Sequence, residues 1–132
     1  MAITAFNLSM GGTTGIDLGK NLISAYIYNI NNPNSVIVDR GAYDKNYFSY
    51  DGSGVFSCKK QCSVRIVGIA GAVLSGNYAN FKIMLNGNEI ARVDDNGGWR
   101  VIDKDLNEGD TLYMRAYAYK TINSASFNVY LK

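Results

Sequence analysis

The chain has no histidine and only two cysteines among its 132 residues, and these two facts close off much catalytic chemistry. Without an imidazole, no side chain of ordinary pKa titrates near neutral pH, and nucleophile activation by Ser–His or Cys–His pairing is unavailable. A structural zinc site takes four nitrogen or sulfur ligands, more than a single chain offers here. The cysteines, Cys58 and Cys62, bracket Lys59-Lys60-Gln61. Folded into a tight turn they face each other near enough to bridge. In extended chain, at roughly 3.3 Å per residue, they stand about 13 Å apart. Two packed thiols are the expectation for a protein made in a cytosol, and a disulfide is the alternative.

Carboxylates are the other reactive groups: Asp94, Asp95, Asp103, Asp105, Glu108 and Asp110. A glycosidase needs two of them about 5–10 Å apart in a cleft, and a calcium site needs several converging oxygens. Asp94 and Asp95 lie in a Gly-rich run, however. Glu108-Gly109-Asp110 is a turn in which Asp and Gly serve the backbone. Turn chemistry is the expected role, with no metal, no cofactor and no catalytic residue. Gly19-Lys20 lacks the flanking Gly and Ser/Thr of a phosphate loop, because Thr14 and Asn21 occupy those places. Trp99, followed by Arg100, has two readings. A lone tryptophan in a small β-domain is usually core; exposed, it is a stacking platform for sugar rings, with Arg100 beside it.

The remaining candidates are aromatic. Residues 106–132 hold two alternating runs around a polar stretch, Lys120-Thr121-Ile122-Asn123-Ser124, that has the composition of a turn. Leu112, Met114, Ala116 and Ala118 share one face, as do Phe127, Val129 and Leu131. The opposite faces carry Tyr113, Arg115, Tyr117 and Tyr119, with Tyr130 on the second run. Tyrosine and arginine are enriched where subunits meet, so these five residues are the expected subunit interface. A solvated strand face and a carbohydrate or receptor face are the alternatives.

These side chains need a scaffold, and the pattern specifies β-structure. Fourteen glycines, ten tyrosines, a single proline and no helical window of any length favour strands. Alternation or apolar runs mark strands at 21–30, 35–39, 46–51, 54–58, 62–73, 78–86 and 89–93, and from 99 into the last third. Asn31-Asn32-Pro33-Asn34, Asp51-Gly52-Ser53-Gly54 and Asn86-Gly87 mark turns. Gly68 and Ala70 within their strand point to close approach of a backbone or a ring. About nine short strands with regular turns predict an all-β antiparallel sandwich, jelly roll or barrel. Residues 21–132 form the expected domain. Residues 1–20, rich in Gly, Ser, Thr and Asn, read as an extended arm whose Ile3, Phe6, Leu8 and Met10 are the candidate anchor to a partner. A net charge of +2 argues against nucleic acid or an anionic membrane as partner. No run of about 20 apolar residues is present, and the amino terminus lacks the pattern of a signal peptide.

From Tyr47 onward the order of motifs resembles the jelly-roll domain of complement globular heads and tumour-necrosis-factor ligands. The matching elements are Gly54-Val55-Phe56, the long strand from Cys62, the strand ending at Asn86-Gly87, Leu106-Asn107-Glu108-Gly109-Asp110, and Phe127-x-Val129-x-Leu131. More narrowly, the Gly/Ser/Thr/Asn-rich start and the phrase YFSYDGSGVFSCKKQCSV are similar to small bacteriophage virion proteins carrying such a domain. Residues 1–45 depart from the superfamily pattern. The resemblance implies homotrimers in which one sheet of each subunit packs around a three-fold axis. It also implies a non-enzymatic place on a virion assembled in a host cytoplasm, as a capsid decoration protein bound to the major capsid protein. A receptor-binding module of a tail fibre or baseplate, recognising host-surface glycan, is the alternative.

Overall fold

A computed structural model of the chain describes residues 19–31, 36–37, 40–70, 79–94, 99–118 and 121–132. These form eleven strands: β1 (Asn21–Asn31), β2 (Val36–Ile37), β3 (Arg40–Tyr43), β4 (Phe48–Tyr50), β5 (Phe56–Cys58), β6 (Cys62–Ala70), β7 (Ala79–Leu85), β8 (Asn88–Asp94), β9 (Trp99–Leu106), β10 (Thr111–Ala118) and β11 (Thr121–Leu131). All their pairings are antiparallel. Two sheets result. The front sheet runs β3-β1-β11-β6-β9; the back sheet runs β4-β5-β10-β7-β8, with β2 beside β10. This is the all-β sandwich that the alternation predicts.

Both sheets obey the period of two. On β1, Ile23 and Ala25 point to the core while Ser24 and Tyr26 point out; on β11, Phe127 and Val129 point in. From the back sheet, Phe81, Ile83, Leu112 and Met114 close the interior, each at most 1% exposed. An aromatic cluster joins the layers. Phe56 of β5 meets Tyr50 at 4.8 Å, Tyr43 at 5.6 Å and Phe127 at 6.0 Å between ring centroids, the last two edge-on. Gly68 lies directly across from Phe127, as expected where a ring crowds a neighbouring strand.

Two elements differ from the sequence expectation. β3 has no alternation to announce it, yet it pairs with β1 through Ala25↔Gly41. Gly41 makes that approach possible: its φ is 139°, and a Cβ there would collide with the Ser24 carbonyl. The second difference is Thr121–Ser124, which extends β11 instead of forming a turn. It pairs with the far end of β1 as Asn31↔Thr121, Ile30↔Ile122 and Tyr28↔Ser124. The length of β1 is the cause, because its backbone groups need partners along eleven residues, and Thr and Ile fit a strand. β10 and β11 therefore lie in different sheets and are not a hairpin.

The turns behave as their residues dictate. Asn86 and Gly87 have φ of 53° and 82°, as a two-residue hairpin requires. The Asp110 carboxylate accepts from the Asn107 backbone N–H (2.8 Å) and the Asn86 side chain (2.9 Å), tying one turn to the other. Those two bonds hold the Asp110 carboxyl below the usual carboxylate range. Asp51 is lowered in the same way, first by the Ser53 N–H at 2.7 Å.

Candidate functional site

Each sheet has one face in the core, so function rests on the two faces that point away from it. On the front sheet, cross-strand register lines the outward residues into rows. One row is Tyr26–Ser126–Ile69–Trp99, read across β1, β11, β6 and β9; the next is Ser24–Asn128–Val67–Val101. Tyr26 and Trp99 are each 43% exposed and are the exposed large hydrophobics among the described residues. Three strand spacings of about 4.8 Å put them roughly 14 Å apart. Ile69, in the same row, and Val101, in the next, are half-buried. The result is an apolar band on β6 and β9, made of Ile69, Trp99, Val101 and the fully buried Val67, with Ser24, Ser126 and Asn128 between it and Tyr26.

A polar border flanks this band. The Arg65 guanidinium makes two hydrogen bonds to Asp103, of 2.8 and 3.0 Å, and Lys132 lies 3.2 Å from the same carboxylate. The Arg65 bonds first, and Lys132 second, hold Asp103 down to about 2. The Ser63 hydroxyl donates to Asp105 (2.6 Å), and that of Ser24 to Asn128 (2.8 Å). Tyr130 is on this border, across from Arg65. It is 2% exposed; burial pushes its phenol up, against the opposing effect of a hydrogen bond with Asn21.

The outward face of the back sheet is built differently. Tyr113 and Arg115 of β10 pair with Met84 and Lys82 of β7, and Lys82 pairs with Arg92 of β8. Glu89 sits among the cations, 3.1 Å from Arg92 and 3.7 Å from Lys82, and is lowered by them, Arg92 first. The Arg115 guanidinium lies 5.9 Å from the Tyr113 ring centroid. Tyr113 and Arg115 are only partly exposed.

The expected five-residue interface is therefore not one surface. Tyr113 and Arg115 point outward from the back sheet, while Tyr130 belongs to the front sheet and is buried. The cause is the sheet change between β10 and β11, which the two similar alternating runs conceal. Tyr117 keeps its place in β10, across from Asn80. Tyr119 lies outside the described residues, as do Ile3, Phe6, Leu8 and Met10. Trp99, expected in the core, is exposed. Its even-numbered neighbours Ile102 and Leu106 take the inward positions of β9, and odd parity sends Trp99 out. Arg100 points to the opposite side of the strand and donates to the Trp99 carbonyl at 3.1 Å, so the two side chains do not form one platform. Tyr26 was legible only as one of several alternating residues in its strand; its pairing through Ser126 and Ile69 toward Trp99 is a product of topology.

The acidic residues serve structure where they are described. Asp103 and Asp105 pair within the front face, and Asp110 ties turns. Asp94 ends β8 and Asp95 lies outside the described residues. No group of three or more His, Cys, Asp or Glu is placed to hold a metal ion among the described residues.

No protein-family model matches the chain, and no curated protein sequence does. Solved structures do. Rabbit GITRL superposes with a TM-score of 0.54 at 9% identity, covering 83% of this chain and 93% of that one. The globular domain of zebrafish complement 1qA protein gives 0.52 at 14% identity, covering 85% and 97%. Pika GITRL gives 0.50 at 14%, covering 83% and 95%. At such identities the likeness is one of architecture, and on that basis the chain has the jelly-roll sandwich fold of tumour-necrosis-factor-like and complement-head domains.

Proposed function

We propose that this chain is a non-enzymatic structural protein that works as a homotrimer, with the outward face of its front sheet turned toward the three-fold axis. The observation that carries this reading is the exposure of two large rings, Tyr26 and Trp99, at the ends of one register row, with Ser126 and Ile69 between them. Each ring leaves on the order of 100 Å² in water, given the area that such rings bury. Covering that area is worth about 2.5 kcal/mol per ring at 25 cal/mol/Å². Contiguous apolar surface rimmed by polar groups is the usual mark of an interaction site, and aromatic residues are enriched in interface cores. The geometry supports the choice of face; the number three follows from the resemblance to complement heads and tumour-necrosis-factor ligands.

The narrower resemblance to bacteriophage virion proteins supports a place on a particle. In this reading the trimer decorates a capsid, and residues 1–20 dock on the major capsid protein through Ile3, Phe6, Leu8 and Met10. Three weak attachments joined in one trimer gain avidity. Exposure of Trp99 also fits a receptor-binding module, with the indole as a stacking platform for host-surface glycan. The two readings part on whether Trp99 is covered when the protein assembles.

Sedimentation of the full chain decides the core of the proposal. A trimer mass at micromolar concentration, with quenched access of acrylamide to Trp99 on association, is expected. A monomer at high micromolar concentration overturns the trimer, and a trimer with Trp99 still open to acrylamide moves the reading to glycan binding. Particle association that survives deletion of residues 2–18 removes the anchor.

A further inference from the structure

The cysteine pair lies at a junction between the sheets. Cys58 ends β5 in the back sheet and Cys62 begins β6 in the front sheet, so Lys59-Lys60-Gln61 is the whole crossover. Both side chains point inward: Cys58 is 3% exposed within the core cluster, and the half-buried Cys62 packs against it. Their sulfurs are 4.0 Å apart and unbonded. Three backbone hydrogen bonds to two neighbouring segments hold the turn in that shape. The Cys58 N–H donates to the Asp110 carbonyl (2.8 Å), its carbonyl accepts from Gly109 (2.8 Å), and the Lys59 N–H donates to Tyr47 (2.7 Å). Cys62 is fixed across from Leu106 by the β6–β9 ladder.

We propose that Cys58 and Cys62 are a redox-modification site, closed into an intramolecular disulfide by exchange with a low-molecular-weight disulfide. A disulfide needs sulfurs at about 2.05 Å, so closure takes a movement of roughly 2 Å within side chains already turned toward each other. The Cys62 thiol is the accessible one. As its thiolate it attacks a sulfur of the small disulfide, expels one small thiolate, and becomes a mixed disulfide. Cys58 then gives its proton to solvent and attacks Cys62 Sγ, expelling the second small thiolate. The two protein thiols are oxidised, one small disulfide is reduced to two small thiols, and no other oxidant is needed.

Closure links the two sheets covalently at one end of the sandwich. It also ends the hydrogen bond that the Cys58 thiol donates to the Lys60 carbonyl at 2.9 Å, in a turn whose Lys60 ammonium lies 4.3 Å from the Tyr47 ring centroid. Burial, with the neighbouring Cys58, pushes the Cys62 thiol up to about 11. Thiolate is scarce at neutral pH, so the site reacts slowly there and faster as pH rises.

The test treats the reduced full chain with oxidised glutathione and follows denatured protein by thiol alkylation and intact mass. Expected are the loss of both thiols together, a mass lower by two hydrogens, no retained glutathione, and a monomeric species on non-reducing gels. The initial rate should rise about tenfold per pH unit between roughly pH 7 and 10. The oxidised form should melt about 5 °C higher, as a short closed loop gives. Cys58→Ser should stop at a glutathione adduct on Cys62. Persistence of both thiols, a stable adduct on the unsubstituted chain, or disulfide-linked dimers overturns the site. A pH-independent rate, or faster reaction of Cys62→Ser than of Cys58→Ser, overturns attack by Cys62.

Discussion

The two outward faces of the sandwich obey the same alternation and were filled with different materials. On the front, Trp99 stands across from Ile69 and Val101 across from Val67, and the exposed Tyr26 ends the same row on β1, beyond Ser126. On the back, Tyr113 and Arg115 stand across from Met84 and Lys82, with Arg92 and Glu89 on the next strand. A tyrosine among three cations and a carboxylate keeps its hydroxyl in water and its ring under an alkyl or guanidinium group, which is an ordinary solvated arrangement. A tryptophan across from an isoleucine has no such cover. Cross-strand neighbours, not the number of tyrosines on one strand, therefore distinguish the two faces, and the proposed interface rests on that distinction.

The comparison breaks most readily at Trp99. Trp99→Ser removes a ring worth about 2.5 kcal/mol of burial on assembly, so the dissociation constant should rise by at least tenfold. The melting temperature at a dilution where both proteins are monomeric should change little, because the residue is 43% exposed in the single chain. Tyr113→Ser and Arg115→Ala, on the other face, should leave the assembly constant within about twofold, the size of a neutral surface change. Analytical ultracentrifugation over a dilution series measures all three. Dissociation by Tyr113→Ser with an unaffected Trp99→Ser would exchange the roles of the faces.

Why the sequence groups residues that the fold separates is instructive. Alternation made the inward residues legible: Leu112, Met114, Phe127 and Val129 are all fully buried, because period two is a local property of a strand. The Asn86-Gly87 hairpin and the Asp110 turn were equally local and equally legible. Whether β10 and β11 pair is not local. It depends on β1 claiming β11 along its whole length, and no residue between them signals the change of sheet. The row from Tyr26 to Trp99 joins residues 73 positions apart through two intervening strands, so only topology assembles it. Trp99 itself was misread by base rate, although its parity relative to Leu106 was already in the sequence.

A smaller effect tests the border of the front face. Asp103 has its carboxyl lowered to about 2, chiefly by Arg65. A folded pKa below the unfolded value of about 3.9 gives stability that is complete above that value and lost as pH falls toward 2. The Asp103 side chain is 41% exposed, so solvent screening cuts the contribution to about 0.5–1 kcal/mol. Asp103→Asn should therefore lower the melting temperature by about 2–5 °C at pH 6. That deficit should shrink between about pH 4 and 2, where the unsubstituted chain loses its charge too. A deficit that stays constant to pH 2 would show that Arg65 and Lys132 hold Asp103 by geometry alone. If the front face is the interface, the substitution also weakens assembly, because a rim ion pair contributes to docking.

The smallest effect is expected from Glu89 on the back face, and its smallness is informative. Glu89 is close to both Arg92 and Lys82, yet these three side chains are 33–40% exposed. Ion pairs in that environment gain little over hydration and cost side-chain freedom. Salt at 0.15 M screens charges beyond about 8 Å. Glu89→Gln keeps the size of the side chain and removes the charge, leaving three cations at neighbouring positions of one face. The melting temperature should fall by no more than about 2 °C in low salt, and 0.5 M NaCl should erase the difference. The assembly constant should not move. A face turned toward a subunit would respond otherwise: desolvation on docking would make the missing carboxylate costly, several kcal/mol when one partner of a buried pair is lost. A loss of assembly in Glu89→Gln that salt does not rescue would therefore place the subunit contact on the back sheet, whatever Trp99 does.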